Sequence, residues 1–531
     1  VASTLADWIT STTGIIAIVA WTFLTTIALL MFSVRLKDIA ARSQSNTVQR
    51  VFRNSAIPIA SQILVRVVDL VVAIALLRLL GPTGNGQYAI AVVVWLYVKT
   101  ISDFGLALLT TREVARDRSA VSTIVGETTL FRWLVLLATA VPVLVYVGAS
   151  FSTESLAIES ALAIAILYVS IIPSSYAESS NAALNGLERM EVAAIINVGV
   201  SVVRAPLAVA LGASVLGVPG VALAALVTSV LSAVAFHHAL RSITAARTRW
   251  SLGRTRMAYY ASESWPLLIN SLLVSLFFRV DVFIIAAYRG DAALGIYDAA
   301  YKLINLMTII PAYATLAVFP LMTQRAGDPV ALARAQRVTT YALVSVAWII
   351  VVILTAMSTV AVRILAGEEY LPEAALLLRI LIWFAPISFI NGVFQYVLVA
   401  MNQQRRLVPA FVAAVTFNFA GNMLLVPIYG ARASAALTIC TEIVIFAALV
   451  VVARQAPVGI NLPGVIRRIW RPSLAGILAT CTALYFRDQA LIALTAGLTV
   501  LALVGLAVNV IGEDERELLR RLRTRQEPAS G

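Results

Sequence analysis

An all-α polytopic membrane fold is the class this sequence predicts, on three observations. Apolar runs of about twenty residues, the length that crosses a hydrocarbon core of about 30 Å as a helix, recur along nearly all of the 531 residues. Only 13% of the residues are charged and 60% are hydrophobic, with a mean hydropathy of +0.90, whereas a soluble domain carries about 25% charged residues. The lysines and arginines gather in short connections at every second join between apolar runs, as they do when basic loops are retained on one side of a membrane.

These proportions leave no room for a soluble catalytic domain, so any binding chemistry has to sit among membrane helices. The formal net charge of +13 and the pI of about 10.0 come from the basic connections and signal orientation rather than nucleic-acid binding. Cys440 and Cys481 lie inside apolar runs, at no spacing a metal or redox pair would use, and are expected to fill the core.

The elements follow in order. Hydropathy places spans at 13–34, 56–80, 86–110, 126–148, 156–180, 192–212, 217–240, 262–288, 293–320, 338–365, 374–401, 407–427, 432–453, 472–486 and 489–511. Glycine, proline and asparagine mark joins such as "GPTGN" (81–85), expected as an outer turn, and "PIYGAR" (427–432). In the 13–34 span the charge follows the apolar run instead of preceding it, which predicts an uncleaved anchor rather than a signal peptide. The basic connections 34–53, 111–118, 241–256, 324–337, 402–406 and 467–471 and the tail 516–525 keep one parity across the spans. That parity places them and the carboxy terminus in the cytoplasm and the amino terminus outside. Leu518, Leu519 and Leu522, set among arginines, suit either a basic amphipathic helix on anionic lipid or a solvated tail.

The chain also repeats itself. "RVVDLVVAIALLRLLGPTGNGQYAIA" (66–91) and "RVDVFIIAAYRGDAALGIYDAA" (279–300) both place Arg and Asp in a span, then a short join, then Gly-x-Tyr. Asp69 pairs with Asp281 at an offset of 212, Gly86 with Gly295 at 209, Asn185 with Asn402 at 217 and Gly220 with Gly430 at 210. Near-constant spacing predicts a parallel repeat of two six-helix bundles related by a pseudo-two-fold axis. The expected division is an anchor and basic loop over 1–55, a first lobe over 56–240, a basic linker over 241–261, a second lobe over 262–453, and two further helices with a basic tail over 454–531.

"LLRLLGPTGNGQYAIA" (76–91), "SDFGLALLTTREVAR" (102–116) and "ALNGLERMEV" (183–192), in that order, resemble the polysaccharide biosynthesis branch of the multidrug/oligosaccharidyl-lipid/polysaccharide exporter superfamily. The resemblance runs over about residues 50–453. It implies two six-helix bundles around a central cavity, a pair of carboxy-terminal helices and alternating access that carries a lipid-linked glycan from the inner to the outer leaflet of the cell membrane. The 13–34 span departs from the usual pattern.

Ionised side chains at mid-span cost about 2.5–3.5 kcal/mol each on insertion scales, so those retained ask for a reason. Ten residues of helix from Ala56 bring Arg66 about 15 Å into the membrane. Asp69, three residues on, shares its face and is expected to pair with it locally. Arg279 and Asp281 point about 200° apart and cannot form the same pair. Two readings stay open for such charges: mutual neutralisation within the bundle, or contact with substrate. The cation-rich balance favours a lipid diphosphate over an organic cation. Arg66, Lys99, Arg204, Arg279 and Lys302 are therefore candidate headgroup contacts, with Asp69, Asp281 and Glu442 candidate proton or sodium sites. Arg132 is expected to snorkel at the cytoplasmic end of its span. Tyr88, Tyr297 and Trp265 are candidates for stacking on sugars or for interfacial anchoring. Pro206, Pro266, Pro311, Pro320 and Pro386 fall where kinks would serve rocking helices.

No phosphate-binding G-x-x-x-x-G-K-[ST] motif occurs, and His237 and His238 lack zinc-site spacing. The expected function is a non-enzymatic flippase without cofactor, driven by a proton or sodium gradient if coupled. The alternatives are a cation-coupled multidrug exporter and, in another class, a membrane-embedded glycosyltransferase or polymerase. Expected partners are the lipid-linked oligosaccharide, membrane lipids and the polymerase or glycosyltransferases of the same pathway, with no nucleic acid and the chain a monomer.

Overall fold

A computed structural model describes residues 47–153, 156–245, 247–307, 329–401, 406–454 and 462–508, together with Pro311 and Gln403. The expected anchor 13–34, the basic tail, Pro320, Asn402 and the end of the 293–320 span lie outside the described residues. The helices are α1 (Thr47–Asp103), α2 (Leu106–Arg116), α3 (Val121–Ser152), α4 (Ile158–Gly186), α5 (Met190–Ala213), α6 (Gly217–Thr244) and α7 (Arg254–Met307). After them come α8 (Pro329–Leu365), α9 (Glu373–Leu381), α10 (Ala385–Ala400), α11 (Leu407–Tyr429), α12 (Ala431–Arg454), α13 (Leu462–Tyr485) and α14 (Ala490–Ala507). Among the described residues there is no strand, and nine helices are long and apolar enough to cross a membrane. The chain is a multi-pass, all-α membrane protein.

Each of α1 and α7 is two helices meeting at one glycine, Gly81 (φ 65°, ψ −177°) and Gly290 (φ 77°, ψ 177°). Side chains other than hydrogen crowd the backbone at such positive φ, which is why glycine stands there. "GPTGN" is therefore not an open turn: Gly81 alone leaves helical geometry, and Pro82, with its φ already set for a first helical turn, restarts the helix. The two kinks stand 209 residues apart, the same offset that relates Gly86 to Gly295. Those two glycines meet: a Cβ on Gly86 would lie 1.8 Å from the Asp291 carbonyl oxygen, and one on Gly295 1.8 Å from that of Pro82. Asn85, buried beside them, donates from Nδ2 to the Gly295 carbonyl at 2.9 Å. Asp69 precedes its kink by twelve residues and Asp281 by nine, so the second aspartate stands nearly one turn nearer its kink.

Two compact units divide the chain at Asp298. In the first, α1 packs against α4 and α5, and α6 packs against both of these. Val68, Val198, Val202 and Ala205 close one apolar layer between α1 and α5; Leu76, Ala208, Val221 and Ala224 close the next and bring in α6. On α3, Leu137, Val141, Leu144 and Val145 share a helix face and are at least 64% exposed, an apolar stripe suited to lipid. Cys440 and Cys481 are exposed as well, rather than core fillers, because a lipid-facing surface is as apolar as a core.

In the second unit α8 packs against α10, α13 and α14, and α12 against α10 and α11. The Trp348 indole N–H donates to Ser473 Oγ at 3.3 Å, tying α8 to α13. The basic stretches at 111–116 and 467–471, expected as loops, are helical parts of α2 and α13. Their Ala, Arg and Glu are strong helix formers. The 374–401 span is broken into α9 and α10, and Pro386, which has no N–H to donate, stands in the first turn of α10.

Candidate functional site

A cavity of ≈ 640 Å³ opens within the first unit between α1, α4, α5 and α6. Both limbs of α1 reach it, the first through Arg66 and Asp69 and the second through Trp95 and Lys99, because the Gly81 kink turns the chain back on itself. Arg204 enters from α5 and Glu178 from α4. Four of the eight charged residues singled out from sequence thus line one cavity: Arg66, Asp69, Lys99 and Arg204.

The pairing differs from the local one expected. Asp69 accepts from Arg204 across the α1–α5 contact, not from Arg66. The packing of α5 on α1 brings a guanidinium to the aspartate, and an i,i+3 partner on the same helix then adds little. Lys99 Nζ lies 2.7 Å from Glu178 and 4.9 Å from the centre of the Trp95 ring, combining an ion pair with a cation–π contact. Arg66 has no ion-pair or hydrogen-bond partner among the described residues. Three cations against two carboxylates leave the cavity one positive charge in excess.

The rest of the wall is neutral and polar. Ser170, Ser174, Ser201, Thr228, Ser229 and Ser232 supply hydroxyls, and Asn181 and Asn197 supply amides. Ser201 is buried and its Oγ has no partner among the described residues. A second cavity of ≈ 590 Å³ shares Trp95, Lys99, Glu178 and Asn181 with the first and continues past Asn185 to α2. Asn181 and Asn185 stand one helical turn apart, and neither side-chain amide has a partner among the described residues. Sequence reasoning missed Trp95, Glu178 and Asn181, and took Asn185 only as a position of the repeat. The polar run "SSYAESSN" (174–181) inside an otherwise apolar span was the available signal.

The other candidates lie elsewhere. Arg279 donates to Asp298 at 3.3 Å. Asp281 is buried and accepts from the Tyr297 hydroxyl. Lys302, on the second limb of α7, belongs to the second unit and is partly buried there. Glu442, also in the second unit, is buried, and its Oε2 accepts from Asn391 Nδ2 at 2.7 Å. It has no cationic partner among the described residues. Tyr88 packs against Leu76, Ala208, Val221 and Ala224 instead of facing the cavity, and Trp265 is exposed. Arg132 does not snorkel: it is fully buried, donates to Asp103 Oδ1 at 2.6 Å and reaches Ser179. A guanidinium with both a carboxylate and a hydroxyl to bond has no need to extend to water.

The first unit thus holds a cavity among apolar helices that displays cations and neutral hydroxyls. The model of the family described as "Polysaccharide biosynthesis protein" matches residues 51–326, and that described as "MatE" matches residues 266–424. The chain belongs to the polysaccharide biosynthesis protein family, within the multidrug/oligosaccharidyl-lipid/polysaccharide exporter superfamily, whose members are transporters and flippases. No curated protein sequence matches it.

Among solved structures, "Lipid II flippase MurJ, inward closed conformation" superposes with a TM-score of 0.63 at 14% identity over 85% of this chain and 98% of that one. The inward-facing conformation of a multidrug resistance MATE family transporter gives a TM-score of 0.54 at 15% identity, covering 77% and 95% of the two chains. An outward-facing conformation of such a transporter gives 0.50 at 14% identity, covering 78% and 96%. These likenesses define a shared fold.

Proposed function

We propose that the protein flips a lipid-diphosphate-linked oligosaccharide from the inner to the outer leaflet of the cell membrane by alternating access. One observation carries the reading: Arg66, which the expected span places about 15 Å into the membrane, faces a polar cavity and is answered by no carboxylate among the described residues. An uncompensated guanidinium at that depth is costly, and a phosphate oxygen pair is the ligand its planar fork fits. Arg204 and Lys99, held by Asp69 and Glu178, complete the cationic wall. The unpartnered amides of Asn181 and Asn185 and the serine hydroxyls offer hydrogen bonds to the sugars beyond the diphosphate.

Arg279 and Lys302 are the further headgroup candidates. Of the coupling candidates, Asp69 is occupied by Arg204 and Asp281 by Tyr297, whereas Glu442 has an amide partner and no cation among the described residues. We assign proton coupling to Glu442, because a proton taken up there removes a charge that meets no cation among the described residues. No catalytic step and no cofactor enter this reading. The basic connections face the cytoplasm, the working unit is the monomer, and polymerase or glycosyltransferases of the same pathway hand substrate over and take it up.

Reconstituted vesicles separate this from drug export. Inward-to-outward movement of a fluorescent polyprenyl-diphosphate oligosaccharide is expected, with no efflux of an organic cation such as ethidium. Efflux of the dye without movement of the glycolipid would establish the exporter instead.

A further inference from the structure

Residues 247–253, just ahead of α7, pack as a strap along α3. The Arg249 amide donates to the Ser122 carbonyl at 3.0 Å, and a Cβ on Gly126 would lie 1.9 Å from the Arg249 carbonyl oxygen, so only glycine lets the strap lie this close. Thr248 Oγ1 is 3.2 Å from the Tyr176 hydroxyl. Trp250 stacks on Trp133 with ring centres 5.4 Å apart and planes 10° from parallel, and it also touches Tyr176. Half of Trp250 nevertheless remains exposed.

The charges on this strap differ from those around it. Arg112 pairs with Glu263 at 2.8 Å, Arg118 with Glu188 at 3.3 Å and Arg256 with Glu127 at 2.9 Å. Arg241, Arg247, Arg249 and Arg254 are exposed, and none has a carboxylate or other side-chain partner among the described residues. Four guanidiniums that meet no side-chain partner among the described residues thus lie within fourteen residues of sequence, three before and one after a half-exposed tryptophan that is packed against α3 and α4.

We infer that Arg241 and residues 247–254 form a binding site for anionic phospholipid on the leaflet that the basic connections face. The arginines take the headgroup phosphate, and Trp250 takes the glycerol and upper acyl region, where indole rings favour the membrane interface. The strap is held by backbone bonding and ring stacking, so little ordering is needed when the lipid binds. This inference stands apart from what the cavity carries.

Thermal unfolding of the full chain in neutral detergent tests it. Phosphatidylglycerol is expected to raise Tm by about 3 °C or more, while phosphatidylcholine and soluble glycerol phosphate leave it unchanged. The triple variant Arg247→Gln, Arg249→Gln, Arg254→Gln keeps the lipid-free Tm and loses at least half of the shift, whereas the matching triple lysine variant retains most of it. Gly126→Val lifts the strap without removing a charge and also lowers the shift. A full shift in the triple glutamine variant overturns the inference, as does an equal response to phosphatidylcholine. An equal response to glycerol phosphate makes this a free-phosphate site and overturns the lipid assignment.

Discussion

Replacing Arg66 with glutamine is expected to slow translocation of a lipid-diphosphate glycan by about 10- to 100-fold, the loss of one or two hydrogen bonds between charged groups. Insertion and Tm should stay at the wild-type level, because Arg66 has no protein partner to lose among the described residues. Arg66→Lys keeps the charge without the planar fork and should fall between the two. Arg204→Gln makes a useful contrast: it strands Asp69 and should lower Tm as well as the rate. Transport by Arg66→Gln at the wild-type rate, in correctly inserted protein, would leave Arg66 without a role at the site.

The largest effect on stability is expected at Arg132. This guanidinium is fully buried and joins the end of α1 to α4 through Asp103 and Ser179. Removing one partner of a buried ion pair costs about 3–5 kcal/mol. Asp103 is 26% exposed, so water relieves part of the stranded charge and Arg132→Ala should fall at the low end, about 3 kcal/mol. Adding Asp103→Asn to Arg132→Ala should recover part of the loss, because the uncompensated carboxylate is then gone. Gly148→Ala, where no atom lies within 4 Å of the added Cβ, serves as the near-neutral reference. An Arg132→Ala protein that melts with this reference would show that the pair carries no stability.

Hydropathy and loop charge made most of the described helices legible, because crossing a membrane fixes the length of an apolar run. Several begin earlier than expected, by as much as ten residues at Leu462 against the expected 472, where the helix continues beyond its apolar run. The basic stretches at 111–116 and 467–471 were misplaced as loops, since charge alone does not distinguish a loop from an amphipathic helix lying at the interface. The repeat was read from Gly86 and Gly295, whereas the kink glycines Gly81 and Gly290, at the same offset, were taken only as parts of short joins. Within the site, the residue types were legible and their pairing was not. Asp69 turned to Arg204 and Arg132 to Asp103 because helix packing sets cross-helix neighbours, and a one-dimensional pattern carries only i,i+3 and i,i+4 relations. Glu178 and Asn181 passed unnoticed because a short polar run near the end of a long span resembles a join.

The central claim is that cavity cations select the substrate by its phosphates. The most direct measurement is the translocation rate in vesicles of three polyprenyl lipids bearing the same glycan through a diphosphate, a monophosphate or an uncharged ether. The account predicts a rate that falls in that order for the wild-type protein and a much flatter series for Arg66→Gln. Equal rates for the three lipids in the wild-type protein would contradict it.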